Sequence, residues 1–359
     1  MKKYQRFIAK LYIKNFLLVF IALEFFFIGM DLLQNLKHIT NSANLQILYT
    51  VNQLLYYINF TLPLSLVFAM LLTIFSILKS NELVSMYALG ISKNDLIKPI
   101  MIIASALTGV FIALNFFTDF VDAYEKAKNI KKYNNPEKTT KEMFLKSYDT
   151  YAYIGELFPE KKEGKDLKIF ITKEHRLVEV LEAKNATFKN NRWNLQDVTS
   201  IKIPDLNNTS QDTKLIFQKF ESKEVLHGFK PKIIDTLFQR LAKLTIQDSF
   251  SAMKLLDEQN LNSDKVRSNL YTMLFFPLFA PIVIYGLFFP LPAQRRGSNI
   301  ALLSTLYIFS ILSIWGVLFT LAKISANGSV SPEYGIIIPI LLLALFASFI
   351  SRKYQVRHI

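Results

Sequence analysis

The stretch FTLPLSLVFAMLLTIFSILKSNELVSMYALGISKNDLIKPIMIIASALTGVFIALNFF (60–117) decides the fold. Its two apolar runs, 60–78 and 99–117, each approach the roughly 20 residues that a helix needs to cross a hydrocarbon core. Between them lie SNELVSMYALGIS (80–92) and KNDLIK (93–98). A short polar helix held between two spans must meet water at one membrane face. Working outward from this pair, the apolar runs give six expected spans, at about 11–33, 56–78, 97–118, 270–289, 300–322 and 335–351. The start, MKKYQRFIAKLYIKNFLLVF, resembles a signal peptide, but its apolar stretch runs on to about Leu33 with no small-x-small site, so it reads as a retained first span. The expected fold class is an α-helical membrane protein with six transmembrane helices and an extracytoplasmic β-jellyroll domain inserted between the third and fourth. The expected divisions are 1–118, 119–268 and 269–359.

Orientation follows from the basic residues near the span ends. Lys2, Lys3, Arg6, Lys10 and Lys14 precede the first span, and Lys79, Lys93 and Lys98 separate the second from the third. Arg295 and Arg296 separate the fourth from the fifth, and Arg352, Lys353 and Arg357 follow the sixth. The opposite short loops hold only Lys37 and Lys323. Both termini and the 80–92 loop are therefore expected in the cytoplasm, with the large domain outside it. The formal charge of +14 does not point to nucleic acid, because the basic excess flanks the membrane, where topology and anionic lipid account for it.

The intervening domain changes period along its length. Residues 119–147 are polar and read as a helical exit from the third span. From Tyr148 the pattern alternates, as in DLKIFITKEH, where Leu167, Ile169 and Ile171 share one side. RLVEVLEAKNATF, NRWNLQDVTSIKI and KLIFQKF behave alike, and Asn190–Asn191 suits a tight hairpin turn. Short antiparallel strands at this spacing suggest a sandwich or jelly roll. Residues 233–260 regain helical spacing, with Leu237, Leu241 and Leu244 on one stripe.

Several chemistries find no residues to carry them. With 0 cysteines there are no disulfides or thiolate sites, and the 4 histidines (His38, His175, His227 and His358) lack metal-ligand spacing. No nucleophile elbow or phosphate-binding loop occurs, so no enzymatic activity and no cofactor is expected in this chain. SNELVSMYALGIS instead reads as two helical turns, capped by Ser80 or Asn81 and ended by Gly90 as a left-handed residue. Glu82, Met86 and Leu89, at i, i+4 and i+7, give one face with a carboxylate and two apolar knobs. A helix lying on lipid is usually basic on its polar face; this one fits a docking peg for a cytoplasmic partner. Glu24, within LEFFFIGM, is an acid inside a span and is expected to face the bundle interior or a wet cavity. Ser304, Ser310, Ser313 and Gly316 give the fifth span small residues that permit close helix approach. DLNNT (205–209) resembles an acid-extended N-glycosylation signal at Asn207.

LPLSLVFAMLLTIFSILKSNELVSMYALGISKNDLIKP (62–99) resembles the second span and coupling segment of the LptF/LptG permease family, the membrane subunits of the ABC transporter that exports lipopolysaccharide. MDLLQNLKHI (30–39) is similar to that family's first-span end, and VEVLEAKNATFKNNRWNLQDV (178–198) to its periplasmic jellyroll signature. MDLLQNLK tilts toward the G type. The resemblance implies an inner-membrane location in a Gram-negative bacterium and a heterodimer with the paralogous permease subunit. It implies docking on a cytoplasmic ABC ATPase dimer through the helix at about 80–90, with Glu82 at the acidic coupling position. It implies first and fifth spans that line a laterally open cavity, with Lys37, and His38 beside it, at the position that meets lipid A phosphates. It also implies a bridge of like jellyrolls that takes lipopolysaccharide onward. Two alternatives stay open: a permease of another lipid or lipoprotein exporter, which would commonly carry its outer domain after the first span, and a non-transporting membrane scaffold.

Overall fold

The computed structural model describes residues 2–35, 37, 39, 42–133, 139–159, 161–173, 176–204, 214–238, 244–258, 261–292 and 299–356. The chain forms two compact units: Met1–Tyr124 with Arg267–Ile359, and Glu125–Val266.

The first unit is helical. In chain order it holds α1 (Lys3–Asn35), α2 (Ala43–Lys79), α3 (Glu82–Ala88) and α4 (Lys93–Leu114), after which α5 (Thr118–Tyr133) runs on into the second unit. Six helical stretches of the described residues are long and apolar enough to cross a membrane, as expected from the apolar runs. From Leu62 to Leu78 α2 is apolar on nearly all sides, and such a stretch must be covered all round. It is the central element: 72 % of its span window is buried, against 11 % for α1. α1 lies along α2 and is tied to it by polar bonds through much of its length. Tyr12 donates to the Leu66 carbonyl at 3.0 Å, Asn15 to the Thr73 hydroxyl at 3.0 Å, and Tyr57 to Asp31 at 3.1 Å. In a medium without water these bonds have no solvent competitor.

The two-strand-period domain, the second unit, is a six-stranded antiparallel sheet in the order β1-β2-β3-β4-β5-β6. The strands are β1 (Thr140–Ser147), β2 (Thr150–Phe158), β3 (Glu163–Lys173), β4 (Arg176–Lys189), β5 (Arg192–Lys202) and β6 (Ile216–Val225). The layer is jellyroll-like, with each strand paired to its neighbour in sequence. Asn190 and Asn191 have φ of 50° and 62°, as a type I′ turn between Lys189 and Arg192 requires. Leu167 pairs with Ile154 and Ala183, and Ile169 with Ala152 and Leu181, so one face is continuously apolar. Trp193, beside the β4–β5 turn, is fully buried on that face and donates its indole N–H to the Phe229 carbonyl at 2.8 Å.

Two expectations need correction here. The stretch before Tyr148 is not helical throughout: β1 occupies 140–147, because Met143 and Leu145 alternate onto the core face while Phe144 points away. The single helix expected over 233–260 is two, α6 (Pro231–Phe238) and α7 (Ile246–Glu258). Thr245 accepts from the Asp248 N–H and donates to its carboxylate at 3.0 Å, a reciprocal cap that starts α7 afresh. Leu244 is buried beside Ile233, Ala252 and Leu256; Leu241 lies outside the described residues.

The return into the membrane is α8 (Asp264–Leu274), a 3₁₀ turn at Phe276–Leu278 and α9 (Phe279–Phe288), which together make the fourth span. α10 (Ile300–Ala326) is the fifth; a π turn at Glu333–Ile337 followed by α11 (Ile338–Val356) makes the sixth. α9 and α11 approach closely, because a side chain at Gly286 would meet the Ala347 Cβ at 2.9 Å.

Candidate functional site

α3 is built as a rigid projection at one end of the helical unit. Ser80 ends α2, and Asn81, with φ of 60°, turns the chain into α3 without a break. At the other end Gly90 has φ of +77°, a conformation costly for other residues. Its N–H bonds to the Tyr87 carbonyl at 2.9 Å, and the Ile91 N–H bonds to the Met86 carbonyl at 3.1 Å. Those two bonds form a Schellman stop, with Met86 and Ile91 both packed on the membrane core. Ser92 then caps α4 by accepting from the Asp95 N–H at 3.2 Å.

The helix shows the water a different set of residues from the one its spacing suggests. Leu83 is buried, and Met86 and Tyr87 are half-buried against the same core. Met86 therefore anchors α3 and does not share a free face with Leu89. The exposed side is Asn81, Ser85, Ala88 and Leu89, the last 80 % exposed, with Glu82 half-buried at the start of the helix. Among the described residues the Glu82 carboxylate has no hydrogen-bond or ion-pair partner. Glu82 thus opens α3 while Leu89 and Gly90 close it, two turns away.

At the other end of α1 and α2 the polar residues form a ladder. Glu24 is buried and accepts from the Thr61 hydroxyl of α2, while its second oxygen has no partner. Farther along, Asp31 accepts from Tyr49 at 2.6 Å, Tyr57 at 3.1 Å and Asn35 at 2.8 Å. Gln53 donates to the Tyr49 oxygen at 3.2 Å. Sequence reasoning singled out Glu24 but missed Asp31. The signal was present: Tyr49, Gln53, Tyr57 and Thr61 recur every four residues, which is one stripe of a helix. Lys37 follows α1 and is exposed; His38 and Asn207 lie outside the described residues.

A polar peg, six spans and a sheet placed between the third and fourth form one arrangement. The family model for the lipopolysaccharide export system permease LptF/LptG matches residues 6–353. The chain belongs to the LptF/LptG family. This LptF/LptG permease is accordingly an inner-membrane, multi-pass protein of lipopolysaccharide export, and the membrane part of an ABC transporter system. The match is to the family as a whole, both permeases named together. A search of curated proteins finds no match to the chain.

Within the permease, α1 and α10 are the least covered spans, each with 11 % of its window buried. Their exposed side chains are large and apolar, Phe25 and Phe26 on α1 and Leu302 and Phe309 on α10 among them. Lys93, not singled out from the sequence, reaches from the start of α4 to the Phe289 carbonyl at 2.9 Å. No local pattern announces a contact between residues 196 apart.

Proposed function

We propose that this permease pairs with a paralogous subunit, sits on a dimeric cytoplasmic ATPase, and extracts lipopolysaccharide from the inner membrane toward a periplasmic bridge of jellyrolls. Hydrolysis of ATP belongs to the separate subunit; this chain supplies the passage and receives the motion. Both termini and α3 are cytoplasmic, and the sheet domain is periplasmic. The observation that carries this reading is α3 itself: a helix fixed by Leu83 and Met86, whose half-buried Glu82 carboxylate has no partner among the described residues.

An arginine in the ATPase groove is the natural partner of that carboxylate, since a guanidinium matches it in geometry and stays charged. Removing one side of a partly desolvated charge pair is costly, because the other charge stays behind. Lys37, at the far end of α1, is placed to act as a point charge for a lipid A phosphate, with His38 next to it. The exposed apolar faces of α1 and α10 suit acyl chains in a lateral chamber. Among the described residues β1 and β6 are the outer strands of the sheet, so strands of neighbouring jellyrolls can add at its edges.

Co-purification of the complete transporter tests the coupling. Glu82→Ala is expected to leave the permease folded but to weaken ATPase docking about 30-fold or more, with lipopolysaccharide transport falling in step. Undiminished docking together with undiminished transport would defeat the reading.

A further inference from the structure

Lys93 is the first residue of α4 and is separated from the Schellman stop of α3 by Ser92 alone. Its ammonium donates to the Phe289 carbonyl at 2.9 Å and to the Leu291 carbonyl at 3.5 Å. Phe289 is the C-cap of α9, so its carbonyl is at the helix end, where oxygens are left without intrahelical partners, and Leu291 lies just beyond it. A cation is favoured there by the negative end of the helix dipole. Phe289 and Leu291 are both buried, which shields the contact from water. The polypeptide that carries α3 thus grips the end of the fourth span directly.

The junction leading to this grip has little slack. Leu83 seats α3, two backbone bonds stop it, Ser92 caps α4, and Leu96 and Ile97 are buried on the far side. A displacement of α3 therefore reaches Lys93 largely undamped. Apolar packing between α4 and α9 is non-directional and resists sliding weakly. A hydrogen bond from an ammonium has a defined length and direction. Past Leu291 the chain continues to α10, whose surface is mostly uncovered.

We infer that Lys93 is a positioning residue of the transport cycle, which passes the movement of α3 to the Phe289–Leu291 end of the fourth span. The inference rests on the coupling role proposed above for α3. Its test uses the complete transporter in proteoliposomes containing lipopolysaccharide, and reads ATPase association, ATP hydrolysis and lipid released per ATP. Lys93→Met is expected to keep association and hydrolysis within about twofold while lipid per ATP falls about tenfold, the scale of one charge-assisted hydrogen bond. Lys93→Arg, whose guanidinium can donate to both carbonyls, is expected to keep more than about half of the ratio. An unchanged ratio in Lys93→Met overturns the inference, and so does an equal loss in Lys93→Arg. Should Lys93→Met fail to assemble, Lys93→Gln is read the same way: its shorter amide is expected to lower the ratio, and an unchanged value overturns the inference. Glu82→Ala run alongside separates the two ideas. If Glu82→Ala uncouples the machine and Lys93→Met does not, only the role of Lys93 falls; if Glu82→Ala has no effect, the role of α3 falls first.

Discussion

Asp31 accepts three hydrogen bonds where Glu24, two turns earlier on the same helix, accepts one. Burial alone would rank them the other way, since Glu24 is 6 % exposed and Asp31 only half-buried. The number of donors decides, because removing an acceptor strands every group that was bonded to it. Asp31→Ala would strand the hydroxyl of the buried Tyr49 and that of Tyr57, at about 2–4 kcal/mol. Glu24→Gln keeps an acceptor for Thr61 and gives the unpartnered position an amide; single hydrogen bonds inside membrane bundles average about 0.6 kcal/mol, so its cost should stay below about 1 kcal/mol. Thermal unfolding of the purified permease in mild detergent compares the two directly. Equal losses of stability would mean that the α1–α2 ladder does not act through Asp31.

At the scale of elements, what the sequence made legible was local. The six spans follow from continuous apolar runs, the β4–β5 hairpin from two adjacent asparagines that tolerate positive φ, and the stop of α3 from one glycine. What was not legible depended on neighbours distant in sequence. Periodicity placed Met86 and Leu89 on one stripe but could not say that core side chains would cover Met86 and leave Leu89 bare. Likewise β1 alternates Met143 and Leu145 with Glu142, Phe144 and Lys146, a pattern that a helix also permits until β2 supplies the pairing partner. The sheet holds a further non-local link, in which Ser200 of β5 and Lys223 of β6 both donate to Glu179 of β4, at 2.6 and 2.7 Å. Burial pushes the Glu179 carboxyl up, but the bonds from Lys223 and Ser200 outweigh it and hold the group below the usual carboxylate range. A depressed folded value means stability that is present above the unfolded carboxylate pKa of about 4.3 and is lost as pH falls through the folded value. Trp193 is one of 2 tryptophans, so its emission in a Trp315→Phe background reports the sheet alone. Glu179→Gln should lower stability at neutral pH by about 1 kcal/mol and flatten its decline between about pH 5 and 3. An acid transition identical to that of the parent would dismiss the link.

At the scale of the molecule, the proposed orientation of the helical unit rests on charge. An even number of spans returns both termini to one side, and that side also receives the α2–α4 connection with α3. Lys2, Lys3, Arg6, Lys10 and Lys14 before the first span, Lys79, Lys93 and Lys98 around α3, and Arg352 and Lys353 at the end of α11 all gather there. Lys37 and Lys323 stand at the other ends of α1 and α10. Such a bias of Lys and Arg in short connections marks the cytoplasmic face. Because the chain has no cysteine, a single introduced one reports without background. Ala88 on α3 and Lys189 beside the β4–β5 turn are both exposed, so substitution at either should leave the fold intact. In right-side-out spheroplasts a membrane-impermeant maleimide should label Lys189→Cys and spare Ala88→Cys; in inverted vesicles the pattern should reverse. The sign of this result carries more than topology. A helix at 80–92 that faced outward could not meet an ATPase that works where ATP is, and Glu82 and Lys93 would then have no motion to transmit.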